Sequence, residues 1–397
     1  MAERTRVLFL AHAYPRHPGD PVGSFIANLA VALRTQGVDV IVSAPSAPGL
    51  AAYELLDGIA VHRFRYAPTG METLAYTGTM GAQVKDGLRG KVAMVSYLAA
   101  AGIAARRLVR SARIDVVHAH WWFPAGLVAT GVARATRVPV VTTLHGSDLR
   151  LASVFPMGTQ LLGAVLRSSD AVSAVSGWLA RGAEEVVPGL EAAVAPMPVL
   201  DSLFTAVDVV AQPRDDDRLL FVGKLSEQKG LGRLLDAMSL MRTRPHLTVV
   251  GAGRVEDAPL RARAVSLGLD DRITWLPLLS QAELAAQYRH AAVHVVPALD
   301  EGLGLTAVES LLSETPVVGF ASGGLPDIIR DGVTGLLVPP DDVGALANAL
   351  DRLVEDHAQR HGMGRAGRAD VAMRFGAAGA AQRYAELYAR VRAAATR

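Results

Sequence analysis

Short apolar runs alternate with longer stretches of helical period along the whole chain. Apolar runs of about four to eight residues closed by turn residues predict buried parallel strands. They fall at 6–11 (RVLFLA), 38–44 (VDVIVSA), 59–64 (IAVHRF), 114–120 (IDVVHAH), 138–145 (VPVVTTLH) and 171–176 (AVSAVS). The pattern restarts at 218–223 (RLLFVG), 246–251 (HLTVVG), 272–277 (RITWLP), 292–297 (AVHVVP), 315–320 (TPVVGF) and 335–340 (GLLVPP). Between the two sets lies 194–217, rich in Pro and Asp and without sustained period, which reads as a linker. The prediction is an α/β chain of two doubly wound domains, 1–197 and 198–379, with ligand sites at the carboxyl ends of the strands and a cleft between. A last helical stretch, 380–397, sets Tyr384, Leu387, Tyr388 and Val391 on one face and is expected to pack back across the linker.

The bulk numbers agree with two cores. A chain of 397 residues, half of them apolar and a fifth charged, is too long for one domain and too apolar for disorder. A formal charge of +2 argues against nucleic acid as a partner. There is no cysteine, which removes thiolate nucleophiles, disulfides and Cys-held zinc and suits a reducing cytoplasm. The opening run RVLFLAHAYP lacks a signal-peptide pattern, and the apolar stretch 93–105 falls short of the roughly 20 residues a membrane span needs. Residues 85–113 nevertheless carry Lys85, Arg89, Lys91, Arg106, Arg107, Arg110 and Arg113 among apolar positions. That pattern fits either a solvated helix face or one lying on an anionic membrane.

Candidate chemistry gathers at strand ends. In DEGLGLTAVESLL, Glu301 and Glu309 stand eight apart across a glycine-rich turn. A helix starting near Gly304 would turn the amides of Leu305, Thr306 and Ala307 toward an anion such as a diphosphate, with Gly302, Leu303 and Gly304 allowing close approach. Glu309 could then grip a ribose diol and Glu301 reach sugar hydroxyls. In FVGKLSEQKG, Lys224 and Lys229 follow a strand and could neutralise a leaving diphosphate in place of a metal. His145 closes the run TTLH ahead of Asp148, and His120 precedes Trp121, where acceptor contacts are expected. Gly23, at the end of the first-strand loop, could bring an amide to the donor phosphate. Each feature also has a plain reading as a glycine-rich turn, surface lysines, a packing histidine or a flexible loop. The triple Asp215, Asp216 and Asp217 reads as a solvated turn, His118 and His120 lack a third metal ligand, and VGAGR at 250–254 only partly matches a nicotinamide motif.

Together these residues resemble the family 4 retaining glycosyltransferases of the GT-B fold, the glycosyl transferases group 1. The likeness runs in order through Gly23, VVHAHWWFPAG, TTLHGSD, FVGKLSEQKG, the Glu301 to Glu309 pair, TPVVGFASGGLPDII and GVTGLLVPPDD. It implies two Rossmann-like domains and a nucleoside diphosphate sugar as co-substrate, with no metal or cofactor. By resemblance Lys224 and Lys229 sit on the diphosphate, Glu309 on the ribose and Glu301 with the 302–306 backbone on sugar and phosphate. His145 becomes the active-site histidine, and Leu276 with Pro277 lies at the base. Three departures stand out. Lys224 replaces the usual arginine, Glu314 replaces a glycine at a helix end, and the loop near Gly23 lacks a double glycine.

The implied reaction moves a sugar with retention to an acceptor hydroxyl on a saccharide, lipid-linked or small molecule, in the cytoplasm or peripherally at the inner membrane face. Competing readings are a nucleotide-sugar epimerase or phosphorylase of the same architecture, and a catalytically silent sugar-nucleotide binder.

Overall fold

The computed structural model describes residues 4–76, 80–204, 214–253 and 257–395. The chain forms two compact units, one running to Pro198 and resumed from Ala377, the other Val199–Gly376. Part of the sequence-derived linker, 205–213, and Arg254 of VGAGR lie outside the described residues.

Among the described residues the first unit holds one eight-stranded sheet. Its strands are β1 (Thr5–Leu10), β2 (Val38–Pro45), β3 (Tyr53–Leu56), β4 (Ile59–Phe64), β5 (Val116–His120), β6 (Val140–Leu144), β7 (Ala171–Ala174) and β8 (Ala193–Val194). Their order is β3-β4-β2-β1-β5-β6-β7-β8, parallel except for β3 against β4. The second unit holds β9 (Asp215–Val222), β10 (His246–Val250), β11 (Ile273–Leu276), β12 (Ala291–Val296), β13 (Val317–Phe320) and β14 (Gly335–Val338). Their order is β11-β10-β9-β12-β13-β14, all parallel. Chain order therefore reverses between β1 and β5 in one sheet and between β9 and β12 in the other. Such switch points open a crevice at the strand ends where ligands bind.

All twelve predicted strands are present, and two more appear. β3 is a short edge strand with Tyr53 and Leu55 exposed, so it carries no buried run. Its signal was the turn: Asp57 and Gly58, at φ 50° and 75°, form the two-residue loop of a hairpin whose last pair is Leu56 with Ile59. β9 begins at Asp215, so the acidic triple is strand rather than solvated turn. Asp216 forms an ion pair with Arg360, whose side chain is fully buried.

The helix Leu88–Ser111 corrects another expectation. By length and composition it is long and apolar enough to cross a membrane. Here Met94, Tyr97, Ala101, Ala105, Leu108 and Val109 bury one face in the core of the first unit, while Leu88, Val92, Val95 and Ile103 are exposed. Helix Ala377–Ala395 buries Tyr384, Leu387, Tyr388 and Val391, the predicted face, within the first unit. The Tyr384 hydroxyl donates to Ala195 O at 2.9 Å.

The departure at Glu314 is absorbed locally. Helix Leu305–Leu312 ends with Glu314 at φ 58°, and Thr315 N to Ser310 O and Glu314 N to Leu311 O, each 2.9 Å, close it as a left-handed cap. Arg368 on its carboxylate (2.9 Å) and Arg214 on its carbonyl (3.0 Å) hold a conformation glycine would adopt freely.

Candidate active site

In the second unit, the carboxyl ends of β9 and β12 meet at the switch point. The chain leaves β9 through Gly223 and Lys224 and turns at Glu227–Lys229 before helix Leu231–Leu240. Gly230 sits at φ 77°, where a Cβ would stand 1.9 Å from Pro297 O, so only glycine lets this turn pack against the end of β12. Leu299 N to Gln228 O and Gln228 Nε2 to Asp300 O, both 3.0 Å, tie the two loops together. The Lys229 ammonium then reaches Glu301 Oε2 at 2.5 Å, both side chains partly open. Sequence reasoning assigned Lys229 to phosphate and Glu301 to sugar separately; the structure joins them. Lys224 is exposed nearby in sequence.

Gly304, at φ 95°, precedes helix Leu305–Leu312 as predicted. The amides of Leu305 and Thr306 have no intramolecular acceptor among the described residues. Ala307 N, expected free, donates to Gly304 O at 2.8 Å because the first turn is tight. Gly302, Leu303 and Gly304 are buried at this turn.

Residues of the run TPVVGFASGGLPDII, which the sequence reading gave no role of their own at the site, support it. A Cβ on Gly323, at φ 62°, would lie 2.2 Å from Glu301 O, while Gly324 N donates to that oxygen at 2.6 Å and Ser322 Oγ accepts from Asp300 N at 3.0 Å. The paired glycines after β13 were the available signal.

Glu309, on the same helix, accepts from the hydroxyl of fully buried Tyr288 at 3.0 Å. Burial pushes its carboxyl up to about 7, against the pull of that hydrogen bond. A carboxylate held this way is ready to accept from two vicinal hydroxyls, which would favour its ionised form. Leu276 ends β11 half-buried, its carbonyl accepting from Gly251 N (3.1 Å) and Ala252 N (2.9 Å).

In the first unit, the ends of β1, β5 and β6 carry an aromatic cluster. Trp121 adopts φ 69°, unusual for a bulky side chain, and lies against His12 (ring centroids 4.2 Å apart) and His145 (4.5 Å). His120 Nδ1 and His145 Nε2 are 3.1 Å apart. Protons on both would set N–H against N–H, and burial, followed by neighbouring histidines, holds both imidazoles well below their usual range. The half-buried His145 thus presents a neutral ring. His118 below it joins Tyr388 (2.8 Å) and Thr143 (2.6 Å), and burial lowers it to about 3.

His120 and Asp148 are fully buried, so neither has open surface for the acceptor contacts expected of them. The Asp148 carboxylate accepts from His145 N (2.6 Å), Gly146 N (3.2 Å) and Trp122 N (3.1 Å), locking the loops after β5 and β6 together. Burial outweighs these bonds and raises it to about 6. The Gly23 loop is pinned rather than loose. Asp20 accepts from Arg16 Nε (2.6 Å) and Val22 N (3.1 Å), and a Cβ on Gly23 would stand 2.6 Å from Ala13 O. His12 was not singled out from sequence. Its Nδ1 is buried without a hydrogen-bond partner among the described residues, and burial lowers the ring to about 4. No group of three His, Asp or Glu side chains suited to a metal occurs among the described residues.

Two doubly wound units, one ending in lysines, amides and carboxylates and the other in neutral histidines, define an enzyme of the GT-B glycosyltransferase class. The model of the Glycosyl transferases group 1 family matches residues 205–370, and that of Glycosyltransferase Family 4 matches 22–196. The D-inositol 3-phosphate glycosyltransferase of Thermobifida fusca is 30% identical over 375 residues, 86% of this chain and 82% of that one. The solved sucrose-phosphate synthase of Thermosynechococcus elongatus superposes with TM-score 0.81 at 22% identity, over 98% of this chain and 100% of that one. Anabaena HepE, solved with UDP-glucose, gives 0.74 at 18% identity, over 98% and 100%. The chain belongs to the family 4 glycosyltransferases of the GT-B fold.

Proposed function

We propose that this glycosyltransferase moves a sugar from a nucleoside diphosphate sugar to an acceptor hydroxyl, with retention of configuration and without a metal or cofactor. The donor is held by the second unit and the acceptor by the first. The observation that carries this reading is the contact of Lys229 with Glu301 at the β9–β12 switch point, with Glu301 beside Gly304 and the Leu305 and Thr306 amides next along the chain. A diphosphate there meets fixed positive charge and open donors, with Lys224 adding a second ammonium, which is what a departing diphosphate needs. Glu309 takes the ribose, Gly302 and Leu303 admit the phosphates, and Glu301 turns from Lys229 toward the sugar. Leu276 borders the base. The bond from the anomeric carbon to the diphosphate breaks as that carbon bonds to the acceptor oxygen on the same face. The acceptor proton passes to the departing phosphate oxygen, and neutral His145 orients the reacting sugar. The UDP-glucose bound by HepE supports a nucleotide-sugar donor.

Thermal-shift titration with a panel of nucleoside diphosphate sugars, with and without EDTA, tests the donor. Stabilisation by one of them that EDTA leaves unchanged is expected. Release of free nucleoside diphosphate only when acceptor is present separates a transferase from a silent binder or an epimerase, and NMR of the product's anomeric configuration tests retention. Absence of cofactor absorbance would set aside a pyridoxal-type phosphorylase.

A cytoplasmic enzyme resting on the inner membrane face is favoured by one feature. Exposed Leu88, Val92, Val95 and Ile103 lie along a helix with exposed Arg89, Lys91, Arg106, Arg107 and Arg110. Co-sedimentation with phosphatidylglycerol vesicles and not with phosphatidylcholine vesicles is expected, and Val92→Glu with Val95→Glu should abolish it.

A further inference from the structure

Beside the histidine cluster of the first unit lies a cavity of about 330 Å³, within the range of small-molecule sites. Trp121, Trp122, Phe155, Leu151, Leu161 and Met94 are among its lining residues, none of which is charged. Its polar side chains are His12 and Ser147, besides the indole N–H groups of the two tryptophans, of which that of Trp122 donates to Asp148 O. The His12 ring also packs on Trp121, which in turn packs on His145, so cavity and proposed acceptor histidine share one aromatic wall. A sugar or sugar phosphate in this place would leave most of its hydroxyls unpaired, at a cost that charged or amide-lined walls would avoid.

We propose that this cavity holds the apolar body of the acceptor, a hydroxyl-bearing molecule with an alkyl or aromatic moiety, and that His12 hydrogen-bonds its polar end beside His145. The proposal rests on the transferase reading and narrows it from any hydroxyl acceptor to an amphiphilic one. Leu161, 44% exposed, stands at the rim, so substituting it leaves the core intact.

Two probes with one head group test it: n-octyl-β-D-glucopyranoside below its micelle concentration, and methyl-β-D-glucopyranoside. Trp121 and Trp122 serve as reporters of binding through intrinsic fluorescence. Octyl glucoside should bind saturably and about tenfold or more tighter than the methyl compound, since buried methylenes alone provide this. Leu161→Arg and Leu151→Asp should remove that advantage while keeping the melting temperature and stabilisation by nucleoside diphosphates. His12→Phe should keep the chain-length preference and lose affinity for the head. Equal affinity for the two glucosides, or variants that bind octyl glucoside as wild type does, would overturn the assignment even with donor binding intact. Conversely, octyl glucoside binding in a protein stabilised by no nucleoside diphosphate would uphold the cavity and remove the transferase reading beneath it. Titration with phosphatidylglycerol and phosphatidylcholine vesicles in competition with octyl glucoside distinguishes a membrane lipid from a soluble aglycone as the source of that apolar body.

Discussion

Glu309 stands between two opposed influences: burial lifts its carboxyl to about 7 and the Tyr288 hydroxyl pulls it down. Below that value the unliganded side chain is largely protonated, and a diol donating to the carboxylate would ionise it. Donor binding near pH 6 should therefore release a proton, seen as a buffer-dependent heat in calorimetry, and the release should fade by pH 8. Tyr288→Phe removes the stabilising hydroxyl, so the pH midpoint for donor affinity should move upward. Lys229 lies at the proposed leaving group. Lys229→Ala should lower kcat by roughly a hundredfold or more, the scale of losing one preorganised charge-stabilising group, whereas Lys224→Arg should keep activity. Unchanged turnover in Lys229→Ala would remove the leaving-group role. The ion pair with Glu301 was invisible in sequence because 72 residues separate the partners and only the sheet order sets them side by side.

At the level of elements, glycine decides whether loops can meet. Gly230→Ala would put a Cβ on a left-handed backbone and into Pro297 O, so a loss of roughly 2 kcal/mol or more is expected in urea unfolding. Helix Ala377–Ala395 shows the same dependence on partners. Its Tyr388 hydroxyl meets buried His118, and Tyr388→Phe should cost roughly 1–3 kcal/mol by leaving an imidazole nitrogen unpaired. Most elements were legible because their burial is periodic. β3 escaped because an edge strand buries little, and Asp215–Asp217 misled because three carboxylates resemble a turn until Arg360 arrives from 144 residues away.

For the molecule as a whole, ionisation behaves with two signs. His12 and His118, lowered to about 4 and 3, and His120 and His145, held well below the usual range by burial, stay neutral when folded. The unfolded chain takes up their protons as pH falls below about 6.5, so stability should decline from there toward pH 4. Glu309 and Asp148, raised to about 7 and 6, act oppositely and lose stabilisation as pH rises through those values. Melting temperatures should therefore fall on the acid side more steeply than on the alkaline side. His118→Gln, which keeps hydrogen-bonding capacity without titrating, should flatten the acid limb.

Sequence alone determined that this chain builds two parallel α/β sheets, and which strand ends carry lysine, glutamate and histidine, because burial period and turn chemistry are local properties. Tertiary structure decided what those residues do to one another. It joined Lys229 to Glu301, buried Asp148 and His120 beneath the surface their spacing had suggested they reach, and set His12 at an apolar cavity beside Trp121. Those outcomes depend on strand order and on the low polarity of the packed interior, which arise only when distant segments exclude water together.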